Sequence, residues 1–223
     1  MIKIICGGIG SGKTLKATKS IIDSHYITFG NYKILNKNNY HRLKFSDIIL
    51  QEDKNLRLNW EFWKTTTKKY GGFNIVLDEI HNIMHSRRSM SKNNIILSQW
   101  VAQIRKVLGS SEKHDFICIS QETDRIDSSI RDLTNEIVYC DKFISNTRLK
   151  TKVQQDGKTC FKDLNKVWVF CYHFLGSGCL NRYNAFRIGG VKTYDYVSYF
   201  LGNPYFQFYD SYEMIDFGDE TFL

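Results

Sequence analysis

A glycine-rich segment near the start of the chain constrains the fold more than any other feature of the sequence. Residues 7–14 read GGIGSGKT and match the pattern G-x-x-x-x-G-K-[ST] at every fixed position. Glycine has no Cβ, so backbone N–H groups in such a turn can point inward at phosphate oxygens. The apolar residues 2–6 before it predict a buried strand, and residues 13–24 after it predict a helix. This order of strand, loop and helix predicts a phosphate-binding loop, or P-loop.

The P-loop pattern gives two of its residues a specific task. We expect Lys13 to reach the β- and γ-phosphates of bound ATP, and Thr14 to bind Mg²⁺ through its hydroxyl. The helix that follows adds the positive end of its dipole to the phosphate site. The candidate nucleotide-binding residues are Gly7, Gly8, Ile9, Gly10, Ser11, Gly12, Lys13 and Thr14.

A pair of carboxylates ends the second strong strand pattern. The apolar residues 73–77 lead directly into Asp78 and Glu79, as the Walker B segment of an ATPase requires. We expect Asp78 to orient the magnesium shell and Glu79 to polarise the attacking water. A glutamate directly after the aspartate favours hydrolysis coupled to mechanical work over a small-molecule kinase or a GTPase. No N-K-x-D guanine-reading motif follows.

A third strand pattern, at residues 116–120, precedes Gln121. A polar residue at the tip of a strand beside the Walker B strand can contact the γ-phosphate or its water. Gln121 is therefore a candidate sensor of the nucleotide state. Strand-end glutamines are common, so this assignment depends on the two motifs before it.

The wider pattern predicts an α/β protein, a P-loop NTPase of the RecA/ASCE type with a mostly parallel sheet flanked by helices. Strand patterns alternate with helical ones, which is typical of βαβ units. We expect residues 1–140 to form the ATPase core and residues 141–223 a β-rich C-terminal part of the same domain, with a hairpin turn at Asp156-Gly157. The other local predictions are a strand at 28–35, helices at 54–70, 95–108 and 127–133, and a strand at 136–140.

The net charge and the cysteines indicate which kind of partner the protein binds and in which cellular compartment it works. The net charge is +8, from 31 Lys and Arg against 23 Asp and Glu, which favours nucleic acid first and anionic membrane second. The six cysteines include no C-x-x-C pair, which argues against a zinc ribbon, and reduced thiols predict an intracellular protein. No segment approaches the roughly 20 apolar residues of a membrane span, so we expect a cytoplasmic protein without a transmembrane segment.

Three segments together resemble the FtsK/HerA-type viral P-loop ATPases. That group includes the genome-packaging ATPases of membrane-containing viruses and the zonula occludens toxin-like assembly ATPases of filamentous phages. The segments are the P-loop, the Asp78-Glu79 strand, and residues 100–132, where an arginine-bearing helix precedes a strand ending in Ser-Gln and the run RIDSSIRD. The sequence YFQFYDSYE at 205–213 resembles the tyrosine-aspartate-[Ser/Thr] ending of these proteins. Filamentous-phage members carry a membrane span beyond the ATPase domain, and its absence here favours the packaging branch.

The resemblance implies a homo-oligomer, a ring that hydrolyses ATP with Mg²⁺ and moves double-stranded DNA without reading its sequence. It implies packaging of a viral genome, in the host cytoplasm or associated with the virion, with a capsid or membrane-embedded viral protein as a further partner. Such motors need a cation supplied by a neighbouring subunit; Arg105 is the first candidate and Arg131 the second. The basic residues Arg87, Arg88 and Lys92 follow the Walker B strand and are candidate DNA contacts.

Two other functions remain open at this point. An ATPase for filamentous phage assembly or extrusion would use the same chemistry with a protein partner in a membrane, and a transmembrane segment would distinguish it. A nucleoside or nucleotide kinase would share the glycine loop and the Asp-Glu strand. Thymidine kinases of that kind usually carry a cysteine zinc lasso, and this sequence has no C-x-x-C pair to form one.

Overall fold

One large sheet organises the structure. The computed structural model describes residues 1–52, 55–82, 92–107, 114–155 and 158–210, with the backbone alone at 52, 55, 92–94 and 104–107. The described strands are β1 (Ile2–Cys6), β2 (Thr28–Gly30), β3 (Tyr40–Arg42), β4 (Ile49–Glu52), β5 (Asn55–Leu58), β6 (Asn74–Leu77), β7 (Phe116–Ile119), β8 (Glu136–Gln155), β9 (Lys158–Leu175) and β10 (Tyr196–Leu201). The described α-helices are α1 (Lys13–Asp23), α2 (Phe45–Ile48), α3 (Trp60–Tyr70), α4 (Lys92–Val107), α5 (Ser128–Asp132) and α6 (Cys179–Gly189). None of these helices is long and apolar enough to cross a membrane.

The main sheet is parallel over most of its width. Its strand order, within the described residues, is β10-β9-β8-β1-β7-β6-β2-β3. Neighbours from β8 to β3 run parallel, whereas β8, β9 and β10 pair antiparallel. Parallel strands end at a common edge, where open α/β sheets bind their ligands. The predicted α/β fold, a mostly parallel sheet flanked by helices with further strands toward the C-terminus, is confirmed.

The central strands are buried on both faces because helices cover each face. Ile4 belongs to a core cluster with Trp63 of α3 and Trp100 of α4. Its neighbour Ile5 points the other way and belongs to a cluster with Leu15 of α1. All five side chains are at most 2% exposed, as continuous apolar strands of a parallel sheet require. Trp63, in the helix predicted at 54–70, is therefore a core residue.

The prediction of a helix at 54–70 is wrong for its first residues. Helix α3 begins at Trp60, and residues 55–58 form β5, paired antiparallel with β4. Asn59 explains the boundary, because its side-chain oxygen accepts the N–H of Phe62 at 3.1 Å. This N-cap contact satisfies a backbone donor that the first helical turn leaves without a partner.

Two further segments differ from the sequence-based expectation. The strand predicted at 28–35 ends at Gly30, because Asn31 leaves the ladder and hydrogen-bonds the backbone of Asp78. Helix α6 lies in a stretch that was expected to be β-rich. The predicted hairpin is confirmed by the pairing of β8 with β9, while its turn at 156–157 lies outside the described residues. Strand β8 crosses the proposed boundary at residue 140, and the division into 1–140 and 141–223 stays a prediction.

Part of the β8–β9 hairpin extends past the neighbouring strands. β1 pairs with β8 only at 136–139, and β10 pairs with β9 only at 168–173. Residues 148–155 and 158–165 therefore form a two-stranded extension of the sheet, the ribbon. A register shift between Ile144 and Arg148 marks a bulge at its base.

Candidate active site

The P-loop follows β1 in a tight turn that requires glycine. Gly7, Gly10 and Gly12 have φ angles of 144°, 71° and 92°, which other residues rarely adopt. A Cβ on Gly7 would lie 2.5 Å from the carbonyl oxygen of Cys140, and one on Gly12 would lie 2.9 Å from Cγ2 of Val169. The loop therefore packs directly against β8 and β9, and its conformation fits the phosphate cradle expected from the sequence.

Lys13 opens helix α1, and its side chain folds back into the loop. It is 7% exposed, and its Nζ donates a 2.8 Å hydrogen bond to the carbonyl oxygen of Gly8. The ammonium group thus lies inside the P-loop, where the N-terminal end of α1 adds positive potential. A lysine that binds phosphate needs this location.

Thr14 and Asp78 connect helix α1 with strand β6. The Thr14 hydroxyl donates to Oδ2 of Asp78 at 2.8 Å, and Asp78 is 4% exposed. Burial raises the pKa of Asp78 to about 6, against the opposing hydrogen bond from Thr14. Hydroxyl and carboxylate oxygens are the hard ligands that Mg²⁺ prefers. The pair therefore has the donor atoms that a magnesium site requires.

Asn31, which the sequence analysis missed, fixes the backbone of Asp78. Its Nδ2 donates to the Asp78 carbonyl oxygen at 2.8 Å, and its Oδ1 accepts the Asp78 N–H at 2.7 Å. Asn31 is fully buried and follows β2, the neighbour of β6 in the sheet. A polar residue directly after a parallel strand is a signal that could have identified it, had the end of β2 been predicted correctly.

Glu79 has a strained backbone. Its φ of 50° lies in the left-handed region, which is uncommon for residues other than glycine and often found at functional sites. Its Oε2 lies 3.2 Å from Nδ1 of His81, which is 3.3 Å from the hydroxyl of Ser120. Burial raises the pKa of Glu79, against the opposing charges of Lys13 and Arg125. Burial thus favours the protonated form of the Glu79 carboxyl more than free solution does.

A single cleft of about 710 Å³ brings eight of the predicted residues together. The predicted residues along it are Ile9, Gly10, Gly12, Lys13, Thr14, Asp78, Glu79 and Gln121. Gly7, Gly8 and Ser11 shape the loop without lining the cleft. Lining residues that the sequence analysis missed are Leu15, Tyr32, Asn82, Lys142, Val167, Phe206, Tyr209 and Asp210. Phe206, Tyr209 and Asp210 lie in the segment YFQFYDSYE, whose resemblance to other ATPases gave them no place in the site. Tyr32, Lys142 and Val167 lie far from any motif, so no local pattern points to them.

The remaining predicted residues lie away from the cleft or outside the described part of the chain. Arg131, on α5, has its Nη1 3.7 Å from an aspartate carboxylate and does not line the cleft. Arg105 lies in α4 and Lys92 begins it, but only their backbones are described. Arg87 and Arg88 lie outside the described residues. The roles predicted for these residues stay predictions.

The contact of Asn31 with Asp78 can be tested through stability. We expect Asn31→Ala to lower the free energy of unfolding by about 2–4 kcal/mol, because it leaves a buried N–H and a buried C=O without partners. Urea denaturation measures this change. Asn39→Ala is the control, since it removes one partly exposed hydrogen bond to Tyr26 and should cost under about 1 kcal/mol. An equally small cost for Asn31→Ala would contradict the assigned role.

Comparison with known proteins agrees with this geometry. Residues 4–142 match the model of the ATPase family associated with various cellular activities (AAA), whereas no curated protein sequence matches the chain. The N-terminal domain of zonular occludens toxin from Neisseria meningitidis is similar in structure, with a TM-score of 0.49 and 16% identity over 94% of this chain and 98% of that chain. The genome packaging NTPase B204 from Sulfolobus turreted icosahedral virus 2, in complex with ATP-gammaS, has a TM-score of 0.41 and 14% identity over 66% of this chain and 76% of that chain.

Both structural likenesses are too distant to assign a function. The family match is different in kind, because it covers more than half of the chain and includes the P-loop, Asp78 and Glu79. It confirms the recognition of a P-loop ATPase from these motifs. The chain belongs to the ATPase family associated with various cellular activities.

Proposed function

We propose that this AAA protein is an ATP-hydrolysing motor that moves double-stranded DNA and packages a viral genome. The ATPase part is carried by the hydrogen bond from Thr14 to Asp78, which joins the P-loop to the Walker B strand beside Lys13 and Glu79. The resemblance of the motifs to viral packaging ATPases and the net charge of +8 support the DNA part. The proposed place of work is the host cytoplasm or the virion, with a capsid or membrane-embedded viral protein as a partner.

Each cleft residue has a proposed role in ATP hydrolysis. Lys13 and the loop amides bind the phosphates, and Thr14 with Asp78 holds Mg²⁺, which neutralises charge on the phosphate oxygens. Glu79 accepts the proton of the attacking water, since it lines the cleft beside Lys13 and its raised pKa makes it a stronger base than a free carboxylate. Gln121 lines the same cleft at the end of β7 and positions that water.

Two substitutions separate nucleotide binding from hydrolysis. Lys13→Ala is expected to abolish hydrolysis, because it removes the charge inside the P-loop. Glu79→Gln is expected to retain ATP binding and lower kcat by about 10²- to 10⁴-fold, since the water loses its general base. Phosphate release and titration with a fluorescent ATP measure the two effects. Glu61→Gln removes an exposed carboxylate on α3 and should match the wild type. Wild-type turnover in a folded Glu79→Gln protein would assign the base to another group.

We also propose a ring in which each nucleotide receives an arginine from the neighbouring subunit, Arg105 first and Arg131 second. Arg105→Ala should lower hydrolysis, and mixing it with Lys13→Ala should restore part of the activity, because each variant supplies the half-site that the other lacks. A mixture of Lys13→Ala with Glu79→Gln is the control, since both defects lie in the same half-site and cannot complement each other. The same test on Arg131→Ala chooses between the arginines. If neither variant shows recovery at any ratio, the trans role is wrong.

The ribbon offers a basic face for the DNA backbone. Arg148, Lys150 and Lys152 are exposed at alternate positions of β8, so they share one face at a spacing of roughly 6.7 Å. Phe161 lies opposite Lys152 and is 60% exposed, with the ammonium groups of Lys150 and Lys152 at 5.7 and 5.6 Å from its ring centroid. Cations spaced in this way can contact phosphates without reading bases. The competing explanation is that they only keep the ribbon from pairing with other strands.

A salt series tests the DNA proposal. We expect two unrelated duplexes to bind with similar affinity, and the affinity to fall steeply as salt rises, because lysine contacts release counterions. Lys150→Ala with Lys152→Ala should weaken both duplexes equally and reduce the salt slope by about 1–2. Lys64→Ala with Lys68→Ala removes the same charge from the exposed face of α3 and is the control. Fluorescence anisotropy measures the affinities.

The same measurement applies to the residues predicted from the sequence, Arg87, Arg88 and Lys92. If substituting these three residues weakens duplex binding more than substituting the ribbon lysines, the proposed DNA contact lies in the segment after the Walker B strand. DNA should also stimulate ATP hydrolysis in the wild-type protein. No binding at low salt, together with hydrolysis that is indifferent to DNA, would refute the DNA motor and favour phage extrusion or a kinase.

A further inference from the structure

Residues 202–210 form a segment that spans the part of the sheet holding the P-loop. Near its start, the side-chain oxygen of Asn203 accepts the N–H of Val167 in β9 at 2.7 Å. Near its end, the carbonyl oxygen of Phe208 accepts the N–H of Leu35, in the segment after β2, at 2.8 Å. β9 and β2 lie on opposite sides of β1 in the sheet order. The crossing segment is thus fastened on both sides of the loop that follows β1.

The crossing segment also packs closely on the first turns of α1. A Cβ on Gly202 would collide with the side chain of Leu15, so the backbone approaches the helix as near as it can. Further along, the ring of Tyr205 has the Nζ of Lys19 at 5.8 Å from its centroid. Asn203 is 1% exposed with its amide fully engaged. These contacts fix the path of the segment.

Two aromatic residues of the crossing segment line the cleft. Tyr209 and Phe206 both line the cleft that holds the carboxylates of Asp78 and Glu79. Phe206 comes three residues after the anchor on β9 and shares the cleft lining with Val167. The cleft lining therefore combines charged groups, including Lys13, Asp78 and Glu79, with the apolar and aromatic side chains of Leu15, Val167 and Phe206.

This combination of charged and apolar walls matches the two parts of a nucleotide, its phosphates and its base. The P-loop motif accounts for contacts with the phosphates only. A planar base is held most effectively by an aromatic ring, because every base offers a face for stacking. Leu15, Val167 and Phe206 supply apolar surface in the cleft, and Phe206 is the aromatic residue among these three.

We propose that Phe206 stacks on the base of the bound nucleotide, so that the crossing segment completes the nucleotide site. The inference rests on the proposed ATPase function and is independent of DNA translocation. Phe206 acts on affinity for the nucleoside half of the ligand. It takes no part in the chemistry at the phosphates.

A role in base stacking can be separated from a structural role with two ligands that share a triphosphate, one with a base and one without. With the full chain and Mg²⁺, Phe206→Ala should raise the Kd for ATP about tenfold. The Kd for inorganic tripolyphosphate should stay within about twofold, because that ligand has no base to stack. Isothermal titration calorimetry measures both constants. Phe206→Trp should restore the affinity for ATP, and Phe206→Leu, which keeps apolar volume without an aromatic face, should give an intermediate loss.

Tyr199→Ala is the matched control, because Tyr199 is an aromatic residue of β10 that is 67% exposed and does not line the cleft. It should leave the ratio of the two Kd values unchanged. An equal loss for ATP and tripolyphosphate in Phe206→Ala would overturn the proposal, since Phe206 would then only support the P-loop. Unchanged binding of ATP, or tighter binding, would also overturn it. If the wild-type chain binds neither ligand, that result would instead contradict the proposed ATPase function.

Discussion

The site depends on one chain of buried hydrogen bonds, from the Thr14 hydroxyl through Asp78 to the amide of Asn31. These three residues follow β1, β6 and β2, which the strand order β1-β7-β6-β2 spreads across half of the eight-stranded sheet. A buried carboxylate is costly unless its hydrogen bonds are made, so the strands must keep their relative register for Asp78 to be tolerated. The apolar, doubly covered centre of the sheet supplies that register.

The antiparallel strands are part of this construction rather than an appendage to it. Gly12 lies against Val169 of β9, and Gly7 lies against the backbone of Cys140 in β8. The P-loop therefore packs against β8 and β9 on one side, and on the other side it lines the cleft with Asp78 and Glu79. A side chain at Gly7 would push the loop away from β8, and one at Gly12 would push it away from β9. The loop conformation is a joint property of the family core and of the strands that extend it.

Sequence reasoning succeeded where a function is encoded by neighbouring residues and failed where it depends on distant ones. The P-loop and the Asp78-Glu79 strand are contiguous, so their chemistry could be read directly. Asn31, after β2, holds the backbone of Asp78, and Phe206 of the crossing segment lines the cleft, and only the folded sheet brings both together with the motifs. The helix predicted at 54–70 failed for a related reason, since the cap at Asn59 and the pairing of β4 with β5 outweighed helical spacing.

Strand β8 is continuous from Glu136 to Gln155, so a single strand connects the centre of the sheet with the cleft and the ribbon. Its first residues pair with β1, Lys142 lines the cleft, and its last residues form the ribbon. The bulge between Ile144 and Arg148 separates the ribbon from the rest of this strand. The ribbon is also tied to the crossing segment, because Asn203 donates to the hydroxyl of Thr151 and Gln154 donates to the carbonyl oxygen of Gln207. The ribbon and the cleft therefore share one support, since Phe206 and Tyr209 of the same segment line the cleft.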